Sequence, residues 1–451
     1  MMKFQFEKYG FVDKGVVEIA DLTLICGPNN VSKTYLSYSI YGFIRQFRSL
    51  VDLSLLPEQI NRLKNEGSLN IDLSYYQQNL PNYIERASKA FSKTLEDYFS
   101  TPDDFFEQAK VAFSYDNFCI DLSGEFQKTV KFGQSEALIF DKAPNETTLS
   151  VAFQVTGKSK LPLRIINNIV GEAIAECLFT DMLPQPFVVT SERTGIVLFY
   201  IELDMSKNAL LKQLSDKPNP IALLNSMSSR YARPIHDNID VVRDSSSLSK
   251  RKSFIQKNKQ KYQPVLDILQ ELLSGSFKTV DGQIFYQPRE EHERDKVIVP
   301  IYIASSATKS LFLIDLYVNC LAEKQGLLVI DEPELNLHPD NQRKMASLLA
   351  RLVNAGIKVL ITTHSDYLIR ELNNRIMLHN HLKNKESILK TENLVEQDIL
   401  RPEQVKAFTL TTDHLIKEVS VDRYGINMEI FDDIIADANA LADDIYYTIE
   451  E

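Results

Sequence analysis

Gly27, Pro28, Asn29, Asn30, Val31, Ser32, Lys33 and Thr34 follow directly on the apolar run Leu22–Cys26. A strand that breaks into such a turn and then starts a helix aims successive backbone N–H groups at one point. That concavity suits a phosphate. A lysine at its end reaches the β- and γ-phosphates, and the hydroxyl beside it can ligate Mg²⁺. In the usual pattern, G-x-x-x-x-G-K-[ST], the sixth residue is glycine; here it is Ser32. Glycine allows close approach of backbone to phosphate, whereas serine adds a Cβ and a hydroxyl that narrow the cradle. The alternative is a polar turn between a strand and a helix.

Two downstream runs could complete such a site. Leu327-Leu328-Val329-Ile330 lead into Asp331-Glu332-Pro333. A buried parallel strand would deliver both carboxylates at its C-terminal end. Asp331 would then hold Mg²⁺ through water, and Glu332 would polarise the attacking water as general base. Ile357 to Ile361 lead in turn into Thr362-Thr363-His364-Ser365-Asp366. His364 at that strand end would contact the γ-phosphate. Singly, these segments also read as a strand with a turn and as a structural histidine. In this order the three resemble the layout of ABC-type ATPases.

IDEPELNLHPDNQRKMASLL followed by VLITTHSDYLIREL resembles the OLD/RecF-like branch of ABC ATPases, including anti-phage ATPases of the Septu, retron-associated, Gabija and PARIS kinds. FQFEKYGF with LTLICGPNNVSKTYL is similar too, and Ser191-Glu192-Arg193-Thr194-Gly195 resembles that branch's PAER-(S/T)-G segment. The likeness covers residues 1–45 and 295–375 and leaves the middle poorly matched. It implies an α/β fold: a two-lobed ABC-ATPase head with a mixed sheet flanked by helices, carrying helical insertions. It also implies an ATPase that binds ATP and Mg²⁺ between two copies of the chain. Lys33, Glu332 and His364 would act on the phosphates, with Thr34 and Asp331 on the metal. Each copy would offer the other a serine-rich helix start, for which Ser305 and Ser306 stand ready before LFLIDLYVNCLAE. An N-cap serine pair is the plain alternative. Asn336, Leu337 and His338 fall where the family's D-loop crosses the dimer interface. Members with a nuclease carry a further domain of metal-binding carboxylates, and no such pattern follows His364. A separately encoded nuclease or toxin effector is therefore expected.

These elements sit in a chain of 451 residues, 44% apolar and 25% charged, the composition of an ordinary globular protein. The net charge of −11 argues against a whole-surface affinity for nucleic acid. Cys26, Cys119, Cys177 and Cys320 are scattered without metal-ligand spacing and read as reduced thiols of a cytoplasmic protein. No apolar run reaches the roughly 18 residues of a membrane span.

The division expected is an ATPase head over 1–45 plus 295–400, then lobe-one additions over 46–200, helical first and β-hairpins after. A helical insertion and hairpin follow over 201–294, and a C-terminal helical docking segment over 401–451. FSYDNFCIDL and TLSVAFQV alternate as strands, Asp281–Gly282 reads as a hairpin turn, and 290–296 as an exposed turn before the strand VIVPIYIA. Residues 203–275 read as helical and polar without a sustained heptad. Lys250, Arg251, Lys252, Lys257, Lys259 and Lys261 could grip a phosphate backbone; a solvated helix face is the reading preferred. At the end, Ile434, Ala438, Leu441, Ile445 and Ile449 have helical spacing opposite Asp432, Asp433, Asp437, Asp443 and Asp444.

Overall fold

The computed structural model describes residues 1–28, 31–102, 104–116, 120–132, 136–155, 162–180, 182–202, 231–280, 282–289, 297–411, 413–427 and 440–448. The chain divides into two compact units: Met1–Gly10 with Ser39–Pro186, and Phe11–Tyr38 with Phe187–Glu451.

The second unit is built on a six-stranded sheet. Leu22–Cys26 and Leu327–Asp331 are buried at every residue, as strands covered on both faces must be. Lys358–Thr363 lies parallel between them, pairing Thr363 with Cys26 and Thr362 with Asp331. Val405–Leu410 adds in parallel on the other side of Leu22–Cys26, and Ile416–Val419 closes that edge antiparallel. Pro186–Val189 forms the opposite edge. Helices Gln263–Leu273, Pro339–Asn354 and Asp366–Met377 bury Leu269, Leu348, Leu349 and Leu372 in one core with the strands. Away from the sheet's C-terminal edge, buried Arg351 holds Asp398 in a two-pronged pair at 2.7 and 2.9 Å. The parallel register brings the loops after Cys26, Asp331 and Thr363 to one edge, where α/β sheets bind ligands.

The first unit pairs Met2–Tyr9 antiparallel with Lys110–Tyr115. A four-stranded antiparallel sheet runs in the order Ser68–Asp72, Thr148–Val155, Glu136–Lys142, Phe126–Phe132. Its core is aromatic: Phe43 meets Phe4, Phe91 and Phe113 with ring centroids 5.6, 5.6 and 5.0 Å apart. Such contacts add about 0.5–1.5 kcal/mol each beyond area burial. The protein is of the expected class, mixed α/β with sheets flanked by helices.

Several local expectations need correction. The segment 401–451, expected to be helical, supplies four strands between Val405 and Ile426. The run Val405–Leu410 is buried at nearly every residue, so it fits the middle of a sheet. The division between units falls inside the helix Lys33–Leu50, not at 45/46, and Met1–Gly10 groups with Ser39–Pro186. VIVPIYIA is strand only at Val299–Pro300, because Pro300 lacks the N–H that would continue a ladder; a 3₁₀ turn follows. The helix after Ser305 ends at Leu316 and passes into a π-turn over Tyr317–Leu321. FSYDNFCIDL contributes the strand ending at Tyr115, paired with Met2–Tyr9, while TLSVAFQV does form a hairpin with Glu136–Lys142.

The six cations between Lys250 and Lys261 are exposed, but Lys257 ends the four-residue helix Phe254–Lys257 and the other five lie in the segments around it, so they do not share one helix face. Asp281 lies outside the described residues, as do Cys119, 203–230, 290–296, Asp432, Asp433, Ile434, Asp437, Ala438 and Ile449. Beside Asp281, Gly282 has φ +78 between strands whose register pairs Val280 with Gln283. Leu441 and Ile445 are exposed. Among the described residues no helix is long and apolar enough to cross a membrane, and no group of three or more His, Cys, Asp or Glu could hold a metal ion.

Candidate functional site

The loop after Cys26 is shaped by backbone torsion. Gly27 sits at φ +140, and a Cβ there would come 2.9 Å from the Leu410 carbonyl oxygen. Asn29 and Asn30 lie outside the described residues. Ser32 takes φ 72, the left-handed region that favours glycine. The replaced glycine thus keeps its torsion at a cost of roughly 1 kcal/mol. The Ser32 hydroxyl is buried and accepts a hydrogen bond from the Phe11 N–H at 3.3 Å. Lys33 opens the helix Lys33–Leu50 and donates to the carbonyls of Gly27 (3.0 Å) and Pro28. Burial pulls its pKa down to about 8, against the pull of Glu332, Asp331 and Glu334. Cys26 is an inert neighbour: burial pushes its thiol up to about 12, and it donates to the Phe408 carbonyl at 3.2 Å.

Opposite the loop, Asp331 ends its strand almost fully buried. Its carboxylate accepts from Thr34 Oγ1 at 3.1 and 3.3 Å, from Tyr38 OH at 3.2 Å and from Thr362 Oγ1. Thr34 and Tyr38 are four apart on one helix face, so one helix aims both hydroxyls at the strand end. The Thr34 hydroxyl and the Asp331 carboxylate are hard oxygen donors beside the loop of Lys33, and the chemistry of this pair fits Mg²⁺.

Glu332 follows at φ 51, a torsion that costs about 1–3 kcal/mol outside glycine. Thr362 holds it by accepting the Glu332 N–H on both its carbonyl (3.1 Å) and its hydroxyl (3.2 Å). The torsion turns the Glu332 carboxylate away from Asp331's pocket to lie 3.2 Å from His364 Nε2. Burial raises the Glu332 pKa, and the Asp331 charge adds to the shift, while His364 opposes it. A carboxylate so perturbed in a half-buried site can serve as a general base.

Two residues to which the sequence assigned no role hold this edge together. Glu334 Oε1 accepts from Thr363 Oγ1 (2.6 Å), the His364 N–H (2.9 Å) and the Ser365 N–H (3.1 Å). One carboxylate oxygen therefore fixes the whole turn that carries His364. Arg193, 1% exposed, donates to the main-chain carbonyls of both Asp331 (2.8 Å) and Glu332 (2.6 Å). The sequence signals were faint: a second acid after Asp-Glu-Pro, and an arginine singled out only by resemblance.

The remaining expected residues lie elsewhere in this unit. Ser305 is the N-cap of Ser306–Leu316, accepting from the Thr308 N–H at 3.0 Å, and both Ser305 and Ser306 are exposed. The capping reading thus holds for Ser305. Asn336 is exposed at φ 63 and donates to Thr194 Oγ1, Leu337 is buried, and His338 caps Pro339–Asn354.

Residues 7–369 match a family described as the AAA ATPase domain. The chain belongs to the AAA ATPase domain family. It is an ATP-binding protein of an ATPase family. No curated protein matches it. Similar solved structures include an Smc head domain with an extended coiled coil, bound to the C-terminal domain of ScpA, from Pyrococcus furiosus. It is 12% identical, with TM-score 0.34, over 99% of this chain and 100% of that one. The SMC head domain from Thermotoga maritima is 9% identical, with TM-score 0.30, over 93% and 98%. At these scores nothing about the present ATPase-domain chain rests on them.

Proposed function

We propose that this AAA ATPase-domain protein hydrolyses ATP between two copies of itself and acts as the ATP-driven subunit of a cytoplasmic bacterial anti-phage complex, controlling a separate nuclease or toxin. The observation that carries the nucleotide reading is the meeting of Thr34, Asp331, Glu332 and His364 at one sheet edge beside the loop of Lys33. The defence role is supported by the resemblance of the DEPELNLHP and THSDYLIREL segments.

In this reading the loop N–H groups and Lys33 bind the phosphates, Lys33 trading the Gly27 and Pro28 carbonyls for phosphate oxygens. Thr34 and Asp331 would hold Mg²⁺, which would supply charge neutralisation at the phosphates. Glu332 takes the proton of the attacking water, and His364, beside it, faces the γ-phosphate. Ser305 and Ser306 of one copy approach the nucleotide of the other with a helix N-terminus behind them.

Steady-state hydrolysis by the purified chain tests the enzyme. Turnover abolished by Glu332→Gln supports it; tight ATP binding with no turnover would leave a nucleotide-holding scaffold. Purification with the product of the neighbouring gene tests the complex, and no association under any nucleotide condition overturns it. A second reading is a RecF-like clamp on DNA, favoured by the six exposed cations from Lys250 to Lys261. It predicts ATP-dependent, salt-sensitive DNA binding that neutralising those cations weakens.

A further inference from the structure

Arg193 does more than brace Glu332. Its guanidinium makes four hydrogen bonds, all to main-chain carbonyls: Nε to Ser310 (3.1 Å), Nη1 to Thr190 (3.0 Å) and Asp331 (2.8 Å), Nη2 to Glu332 (2.6 Å). Those carbonyls belong to three separate segments: the end of the edge strand, the carboxylate turn, and the helix Ser306–Leu316. The contrast with Arg351 is instructive, for that arginine is paired directly with a carboxylate. Arg193 has its opposite charges nearby, in Asp331, Glu334 and Glu332, while its N–H groups are spent on backbone. A planar fork fixes the mutual distances of what it binds. A buried cation losing one of these carbonyls has little water to replace it, so the three segments move together.

Ser310 lies one turn into the helix that presents Ser305 and Ser306. We infer that Arg193 is a positioning residue that ties the Asp331–Glu332 turn to the Ser305–Ser306 helix start of the same chain, so that ATP bound at the chain's own loop sets how it presents these serines to a second copy. The inference rests on the two-copy reading proposed above. It makes one site's occupancy felt at the other through a rigid link.

The first experiment uses the Glu332→Gln chain, in which bound ATP persists. ATP affinity is read with a fluorescent ATP analogue and ATP-driven association by light scattering, with and without Arg193→Lys. Lysine keeps the charge but loses the fork. Association weakened by about tenfold or more, with ATP affinity within about threefold, is the expected result. A clamp that serves only stability would lower affinity and association together, and unchanged association would overturn the inference. If Glu332→Gln alone does not associate with ATP, the two-copy reading has failed and the link is judged by a second measurement. Hydrogen exchange on the Ser305→Arg chain keeps Arg193 intact and blocks the serine face with bulk. ATP should slow exchange at residues 306–316 by about fivefold. Protection confined to the loop and to 331–335 would overturn the link, whatever the fate of the Arg193 variant.

Discussion

On the loop side of the site, Gly27 and Ser32 take their shape from backbone torsion and close packing: φ +140 at Gly27, φ 72 at Ser32 and a Leu410 carbonyl that leaves no room for a Cβ at Gly27. On the carboxylate side, Asp331 to Ser365 are held by side chains: Arg193 on the carbonyls, Thr362 on Asp331 and Glu332, Glu334 on the turn of His364. The difference matches the two tasks proposed for these edges. A phosphate is bound by backbone N–H groups, which only torsion can aim. A proton is moved by a carboxylate whose distance to its neighbours must be held by directional bonds. Mutations on the two sides should therefore fail in different ways.

The largest effects test that division directly. Glu332→Gln should lower kcat by about 10²–10⁴-fold while ATP affinity changes little. Lys33→Ala should weaken ATP binding by about a hundredfold, the worth of two charge-assisted hydrogen bonds. Steady-state kinetics with equilibrium ATP binding separates the two. If both variants lose binding and turnover in the same proportion, the two edges are one unit and the comparison collapses.

Next in size is Glu334→Gln. A neutral amide oxygen can still accept from Thr363, His364 and Ser365, but less strongly than a carboxylate. A fall in kcat of about tenfold with unchanged ATP affinity is expected. An unchanged kcat would show that the His364 turn holds its place without this oxygen.

The pH profile sharpens the same edge. Glu332 can act as base only when ionised, and burial raises its pKa above the ordinary 4.5. The acid limb of kcat should lie above that value. Because His364 opposes the shift, His364→Gln should move the limb higher still, measurable in whatever turnover remains. The same shift has a stability consequence. The folded chain holds this proton more tightly than the unfolded one, so Glu332 costs stability as pH rises from 4.5 through its raised pKa.

How far the site could be read from sequence follows this division too. Gly27–Thr34, Asp331–Glu332 and His364 are contiguous signals, each an apolar run ending in polar residues, and such local patterns survive without a structure. The α/β class came with them. The roles of Arg193 and Glu334 were only faintly signalled because their partners lie 117 and 29 residues away, at Ser310 and Thr363. Val405–Leu410 was misread as part of a helical tail. Its place beside Leu22–Cys26 depends on a pairing across the whole length of the chain. The positive φ of Ser32 could have been anticipated, since the residue it replaces is the loop's glycine. Its bond to Phe11 could not.

Ser32 gives the smallest effect and the finest test of the loop side. It carries two separable things, a Cβ at a torsion suited to glycine and a hydroxyl bonded to the Phe11 N–H. Ser32→Gly removes both. It relieves roughly 1 kcal/mol of torsion and loses about as much in the hydrogen bond, so its net stability should stay near wild type. Ser32→Ala keeps the strain and loses only the bond, so thermal or urea unfolding should place it about 1 kcal/mol lower. The rates then test whether either part slows turnover. If the Cβ narrows the cradle, glycine alone speeds turnover, and alanine behaves as serine does. That is the outcome torsional control of this edge requires. If alanine speeds turnover as much as glycine, the hydroxyl tether to Phe11 is the brake, and the loop edge is governed by a side-chain bond just as the carboxylate edge is.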